Sequence, residues 1–172
     1  MGGSLRRDAR GTFLSPDTAS TIELGCELGR CLGPGDVLVL TGDLGAGKTQ
    51  LTKGVARGLG VTDDVTSPTF TIEMVYEGSS IPLYHFDLYR LNDAAQLEDT
   101  GLFDALGADG PCVIEWGEQF SDDIGEERLD VFVTRLDDEA DPGEEPPRRV
   151  TLVARCPRAE RIIDALGSRL DA

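Results

Sequence analysis

The strongest constraint on this chain is a pattern of a buried strand running straight into a glycine-rich turn and a helix. Val37-Leu38-Val39-Leu40 is an unbroken apolar run bounded by turn residues, as a strand covered on both faces requires. Immediately after it comes Gly42-Asp43-Leu44-Gly45-Ala46-Gly47-Lys48-Thr49, which has the spacing G-x-x-x-x-G-K-[ST], and a helix is expected from there to about Leu59. Small residues let the backbone curl until successive N–H groups point inward at phosphate oxygens, and the helix start near Lys48 adds the positive end of its dipole. On this reading Gly42, Leu44, Gly45, Ala46 and Gly47 form the cradle, Lys48 bridges the β and γ phosphates, and the Thr49 hydroxyl ligates Mg²⁺. The plainer alternative is a glycine-rich turn carrying a chance lysine. It requires three glycines, the lysine, the threonine and both flanking elements to coincide.

Charge narrows the partners. The 172 residues hold 32 acidic against 16 basic side chains, a formal net charge of −16. Such a field is on average repulsive to nucleic acid and to anionic lipid, so any dealings with RNA are expected to be indirect. A hydrophobic content of 40% at this length suits one globular domain with one sizeable core. Cys26, Cys31, Cys112 and Cys156 fall in no CxxC pair, and with a single histidine, His85, they read as reduced, structural thiols. No apolar run reaches the roughly 18 residues of a membrane span, and Met1 to Arg7 lacks the apolar stretch of a signal peptide, so a cytoplasmic protein is expected. Lysine occurs only at 48 and 53, which makes Lys48 conspicuous.

Around the loop, the pattern predicts a short extended start at Gly11 to Leu14, then a helix opened by Ser15-Pro16-Asp17. Asp17 or Ser15 caps that helix, and Ile22, Leu24, Leu28, Cys31 and Leu32 form its apolar stripe. Thr69 to Tyr76 and Leu83 to Tyr89 read as neighbouring antiparallel strands. Leu91 to Leu106 reads as helical, with Leu97, Leu102, Phe103 and Leu106 toward the core, followed by a short apolar strand at Pro111 to Ile114. Leu129 to Leu136 and Arg149 to Ala154 are two further strands, and Ile162, Ile163, Leu166 and Leu170 mark a closing helix. Between the late strands, Asp137 to Pro147 is acidic and proline-rich and is expected to be a mobile loop.

A nucleotide site also needs a carboxylate for the metal and a group that handles the attacking water. Cys112-Val113-Ile114 ends in Glu115 where an aspartate is usual, and a strand end beside the loop would bring that carboxylate to the Mg²⁺ shell. In His85-Phe86-Asp87-Leu88-Tyr89-Arg90, alternation puts His85, Asp87 and Tyr89 on one strand face, with Asp87 able to position water or hold metal-bound water. An ion pair of Asp87 with Arg90 is the competing reading, and His85 reads as a satisfied structural histidine. Thr66-Ser67-Pro68-Thr69 is a candidate γ-phosphate-sensing loop, and Trp116 is either core or a contact surface beside the metal carboxylate.

Taken together, Gly-Asp-Leu-Gly-Ala-Gly-Lys-Thr at 42–49, Ser-Pro-Thr-Phe-Thr at 67–71, His-Phe-Asp-Leu-Tyr-Arg-Leu at 85–91 and Ile-Glu-Trp-Gly-Glu at 114–118 resemble the TsaE family in order and spacing. That family is the bacterial ATPase required for the threonylcarbamoyladenosine modification of tRNA. The resemblance covers most of the chain and leaves out the acidic loop. It implies an α/β P-loop NTPase-like three-layer sandwich, its mixed central sheet carrying antiparallel additions, with MgATP bound by residues 44–49. It implies Thr49 and Glu115 as metal ligands, Asp87 and Trp116 as positions needed for activity, and a contact near Thr18 with the base side of ATP, where family members often carry another residue. It also implies docking on the TsaD and TsaB proteins, with tRNA reached only through that assembly and ATP hydrolysis resetting it. A small-molecule kinase is the rival enzyme class, but no arginine follows Leu91 until Arg128 to furnish a lid. A GTPase would need an Asn-Lys-x-Asp segment, and neither lysine sits in one. A nucleotide-gated assembly subunit with incidental hydrolysis remains open.

Overall fold

Alternation along the central strands sorts their side chains into two cores, one on each face of a single sheet. The computed structural model describes residues 4–43, 45–66, 68 and 71–171. Its strands are β1 (Arg6–Ala9), β2 (Thr12–Ser15), β3 (Val37–Thr41), β4 (Glu73–Tyr76), β5 (Leu83–Asp87), β6 (Cys112–Glu115), β7 (Leu129–Arg135) and β8 (Arg148–Ala154). The helices are α1 (Thr18–Gly29), α2 (Lys48–Gly58), α3 (Leu102–Ala105), α4 (Ser121–Ile124) and α5 (Pro157–Leu170). The sheet order is β1-β2-β8-β7-β3-β6-β5-β4. β7, β3, β6 and β5 are mutually parallel, whereas β4 and the β8-β2-β1 side are antiparallel additions. This is the expected mixed α/β sandwich.

Leu38, Leu40, Val113, Val131 and Val133 join residues of α1, α2 and α5 in one core. Val37, Val39, Phe86, Cys112 and Ile114 join Leu97, Leu102, Ala105, Phe120 and Ile124 in the other. Two covered faces explain why β3 reads as a continuous apolar run.

The contact that sets the site is between α1 and α2. A Cβ added at Gly25 would lie 2.2 Å from the Leu51 carbonyl oxygen, at Gly29 2.3 Å from that of Val55, and at Gly54 2.1 Å from that of Ile22. The contacts advance in step, so the helices run in the same direction with both N-termini at one end of the molecule. A side chain at any of these positions would push the backbones apart, at a cost of about 1–3 kcal/mol or more. The apolar stripe anticipated for α1 is therefore only part of its buried face, which carries Leu24 and Leu28 together with Ser20, Thr21, Gly25 and Gly29; Ile22 is only half-buried.

Several boundaries differ from expectation. Asp17 is the α1 cap, accepting from the Ser20 N–H at 2.8 Å, so Pro16 lies ahead of the helix; the buried Ser15 hydroxyl bonds Thr21 instead. β1 pairs with β2 in a hairpin that the polar sequence Arg-Arg-Asp-Ala did not announce. Leu91 to Leu106 is not one helix: a 3₁₀ segment, Ala94–Asp99, is capped by Asp93, and Gly101 at φ 86° breaks the chain before the single turn of α3. Leu97 and Leu102 are buried as expected, but Phe103 is 44% exposed, because that break turns it away from the core. β5 stops at Asp87, so Tyr89 no longer shares a strand face with His85 and Asp87. The segment following β7 forms a 3₁₀ turn at Asp137–Glu139 and is tied at both ends, by Leu136 N–H to the Pro147 carbonyl and by Glu145 to the Thr18 hydroxyl. The cysteines are all free thiols; Cys112 is buried, its thiol pushed up to about 12 chiefly by burial, and Cys156 caps α5. Among the described residues no helix is long and apolar enough to cross a membrane.

Candidate functional site

Parallel strands β3, β6 and β5 end together, and their C-terminal ends deliver the chemistry, as in other open α/β sheets. β3 runs into the glycine loop, β6 ends on Glu115, and β5 ends on Asp87, which is in register with Glu115. A cleft of 460 Å³ opens there, lined by Thr18, Gly45, Ala46, Gly47, Lys48, Thr49, Gln50, Asp87, Tyr89, Glu115, Trp116 and Arg148. Gly45 at φ 78° and Gly47 at φ 109° adopt left-handed backbone conformations that a side chain would strain, which lets the chain double back before α2.

Lys48 is only 5% exposed, and its ammonium has no hydrogen-bond partner among the described residues. It sits 3.6 Å from the centre of the Trp116 ring. Burial lowers its pKa, opposed by the charges of Glu115, Glu118, Asp87 and Asp43. A desolvated cation lacking a hydrogen-bond partner is costly in isolation and is relieved by an anion, so the site has the character of a receptor for phosphate. Trp116 stands at φ 60°, uncommon for a bulky residue, and its ring also packs against Tyr89 with centroids 5.0 Å apart. The strained backbone directly after Glu115 carries the indole onto Lys48.

Both carboxylates are 3% exposed. His85, on the same face of the neighbouring strand and fully buried, lies with Nε2 2.6 Å from Glu115 Oε2. A carboxylate only accepts, so Nε2–H donates and His85 fixes the orientation of Glu115. His85 is thus tied to Glu115, a partner that its sequence context did not reveal, while its buried Nδ1 has no hydrogen-bond partner among the described residues, so it is only half satisfied. Asp87 accepts from the Tyr89 N–H at 2.9 Å, which turns the chain at the strand end.

The structure gathers Thr18, Gly45, Ala46, Gly47, Lys48, Thr49, Asp87, Glu115 and Trp116 around one space. Gly42 falls elsewhere. It lines a second cleft of 410 Å³, which shares Ala46 with the first, together with Thr41, Asp43, Phe132, Val133, Thr134, Arg135 and Asp137, and a Cβ there would meet the Val133 carbonyl oxygen at 2.5 Å. It would also crowd the Ala46 Cβ of the loop, at 3.2 Å. Leu44 lies outside the described residues, as do Ser67 and Thr69 of the anticipated sensing loop; Thr66 hydrogen-bonds the Tyr76 hydroxyl and does not line the cleft. Sequence reasoning missed Gln50, Glu145 and Arg148. For Arg148 the only available signal was a basic residue at the start of a strand, which says nothing of where that strand docks.

Sheet order, glycine loop and the carboxylates at adjacent strand ends define an α/β protein of the P-loop type. Comparison narrows this. The family model "Threonylcarbamoyl adenosine biosynthesis protein TsaE" matches residues 15–143. A Bacillus subtilis relative named tRNA threonylcarbamoyladenosine biosynthesis protein TsaE is 43% identical over 134 residues, 78% of this chain and 79% of the relative. A Streptomyces coelicolor protein of the same name is 45% identical over 116 residues, 66% of this chain and 78% of the relative. The crystal structure of Bacillus subtilis YdiB superposes with a TM-score of 0.76 at 34% identity, covering 94% of this chain and 95% of that one. The chain belongs to the TsaE family.

Proposed function

We propose that this chain serves tRNA threonylcarbamoyladenosine biosynthesis as an ATPase, binding MgATP in the cleft between the glycine loop and the ends of β5 and β6. The observation that carries the reading is the buried Lys48 ammonium, which has no hydrogen-bond partner among the described residues, at the mouth of that loop. The donor set also fits a hard divalent cation. Mg²⁺ takes one or two protein oxygens and leaves its other positions to water and phosphate, and Thr49 with Glu115 would hold it so. When bound, the ion neutralises charge on the phosphate oxygens.

Lys48 would hold the terminal phosphates, with the amides of Gly47 and Lys48 supplying further donors. Asp87, buried beside Glu115, would orient the attacking water toward the γ phosphorus. Trp116 and Tyr89, whose rings pack together, line the cleft with Asp87 and would limit the entry of other water. Thr18, at the start of α1, lines the cleft and would contact the base side of the nucleotide. A net charge of −16 suits a protein whose partners are proteins rather than RNA. We take these partners to be the TsaD and TsaB proteins, with tRNA met only through their assembly.

The test is ATP hydrolysis by the purified protein, alone and with its cognate TsaD and TsaB, against Lys48→Ala. The expected result is slow turnover alone, stimulation by the pair, and loss of both in the variant. ATP binding without stimulated turnover would instead favour a nucleotide-gated assembly role or, if an acceptor panel is phosphorylated, a kinase.

A further inference from the structure

The cleft has a second cation besides Lys48, and it comes from a part of the chain that the family match does not reach. Arg148 opens β8, five residues beyond the end of that match, and pairs in register with Arg135 of β7. Its guanidinium reaches back across the sheet to the glycine loop. Nε donates to the Ala46 carbonyl at 2.7 Å, Nη2 to the Gly45 carbonyl at 3.3 Å, and Nη1 to the Pro146 carbonyl. One planar fork thereby joins two consecutive peptides of the loop to the end of the acidic segment. That segment is fastened again by Glu145 on the Thr18 hydroxyl.

The consequence lies in the geometry of the peptide bond. A trans peptide holds its N–H opposite its C=O, so fixing the carbonyls of Gly45 and Ala46 also fixes the N–H directions of Ala46 and Gly47. The Ala46 N–H is already spent on the Asp43 carbonyl at 3.0 Å, whereas Gly47 leads into Lys48 at the head of α2. With glycine at 45 and 47 the loop has wide conformational freedom, and a loop that must be ordered on binding loses affinity to that ordering.

We propose that Arg148 is a positioning residue for the phosphate-binding loop, bracing its carbonyls so that the loop keeps its fold and the Gly47 N–H is preset for the polyphosphate of a nucleoside triphosphate. The proposal rests on the cleft being the ATP site. It requires a planar fork of donors, which lysine, a point charge, does not reproduce.

The experiment uses the full chain as wild type, Arg148→Ala and Arg148→Lys. Amide hydrogen exchange of the nucleotide-free protein is followed for a peptide spanning 45–49. MgATP affinity is read from the fluorescence of Trp116, the sole tryptophan, whose ring lies in the cleft. Both variants are expected to exchange faster at 45–49 with little change in β3 and β6, and to bind MgATP about tenfold to a hundredfold more weakly. Unchanged exchange at 45–49 would overturn the proposal. So would wild-type behaviour of Arg148→Lys, which would make the role one of charge alone, or faster exchange with MgATP affinity kept within about twofold. If Arg148→Ala does not fold, Arg148→Lys decides. Failure of the wild type itself to bind MgATP would overturn the reading of the cleft, while loop exchange would still decide whether Arg148 holds the loop.

Discussion

Lys48→Ala is expected to weaken ATP binding by about a hundredfold or more, the equivalent of losing roughly 3 kcal/mol of charge-assisted hydrogen bonding. The magnitude follows from the surroundings of the ammonium. It is desolvated and has no hydrogen-bond partner among the described residues, so a phosphate oxygen would meet a donor that gives up little to water. The charges of Glu115, Glu118, Asp87 and Asp43 all bear on the same point. With the cation removed, those carboxylates would face the phosphates with only the metal ion between them, and the loss would exceed that of one contact. Arg148, the other cation of the cleft, is engaged with backbone carbonyls and does not replace it. Equilibrium binding followed through Trp116 or by dialysis checks this, and wild-type affinity in the variant would remove Lys48 from the site.

Asp87→Ala is expected to separate binding from chemistry. Asp87 terminates β5 beside Glu115 and lines the cleft without belonging to the glycine loop. ATP affinity should therefore stay within about threefold of wild type, while turnover falls about a hundredfold or more, the usual scale for loss of a positioned carboxylate. Asp87→Asn keeps the volume and tests charge alone, and it should lose turnover to a similar degree. The measurement is single-turnover hydrolysis at saturating MgATP and equal enzyme occupancy. Equal rates for wild type and Asp87→Ala would exclude Asp87 from the reaction.

What could be read in the sequence was what short-range pattern encodes. β3, the loop at 45–49, α2 and the strand ends at Asp87 and Glu115 are each written in a few adjacent residues, and parallel pairing brings those ends together. What depended on distant pairing was not legible. Arg148 touches Ala46 only because β8 folds antiparallel onto β7, more than 100 residues along the chain, and Glu145 touches Thr18 for the same reason. The α1–α2 seam is built on glycines, which a search for apolar periodicity passes over, so Ile22 was expected in a face that closely packed backbones occupy. Gly42 fits the loop spacing, and its lack of a Cβ also answers to Val133 of β7, a contact that the spacing does not show. Phe103 fits a helical period that Gly101 interrupts.

The seat of the nucleotide can be seen in a crystal structure with Mg²⁺ and a non-hydrolysable ATP analogue. The predicted result is a phosphate chain against residues 45–49 and Lys48, with the metal at Thr49 and Glu115. Phosphates found instead in the second cleft, among Gly42, Asp43 and Arg135, would contradict it.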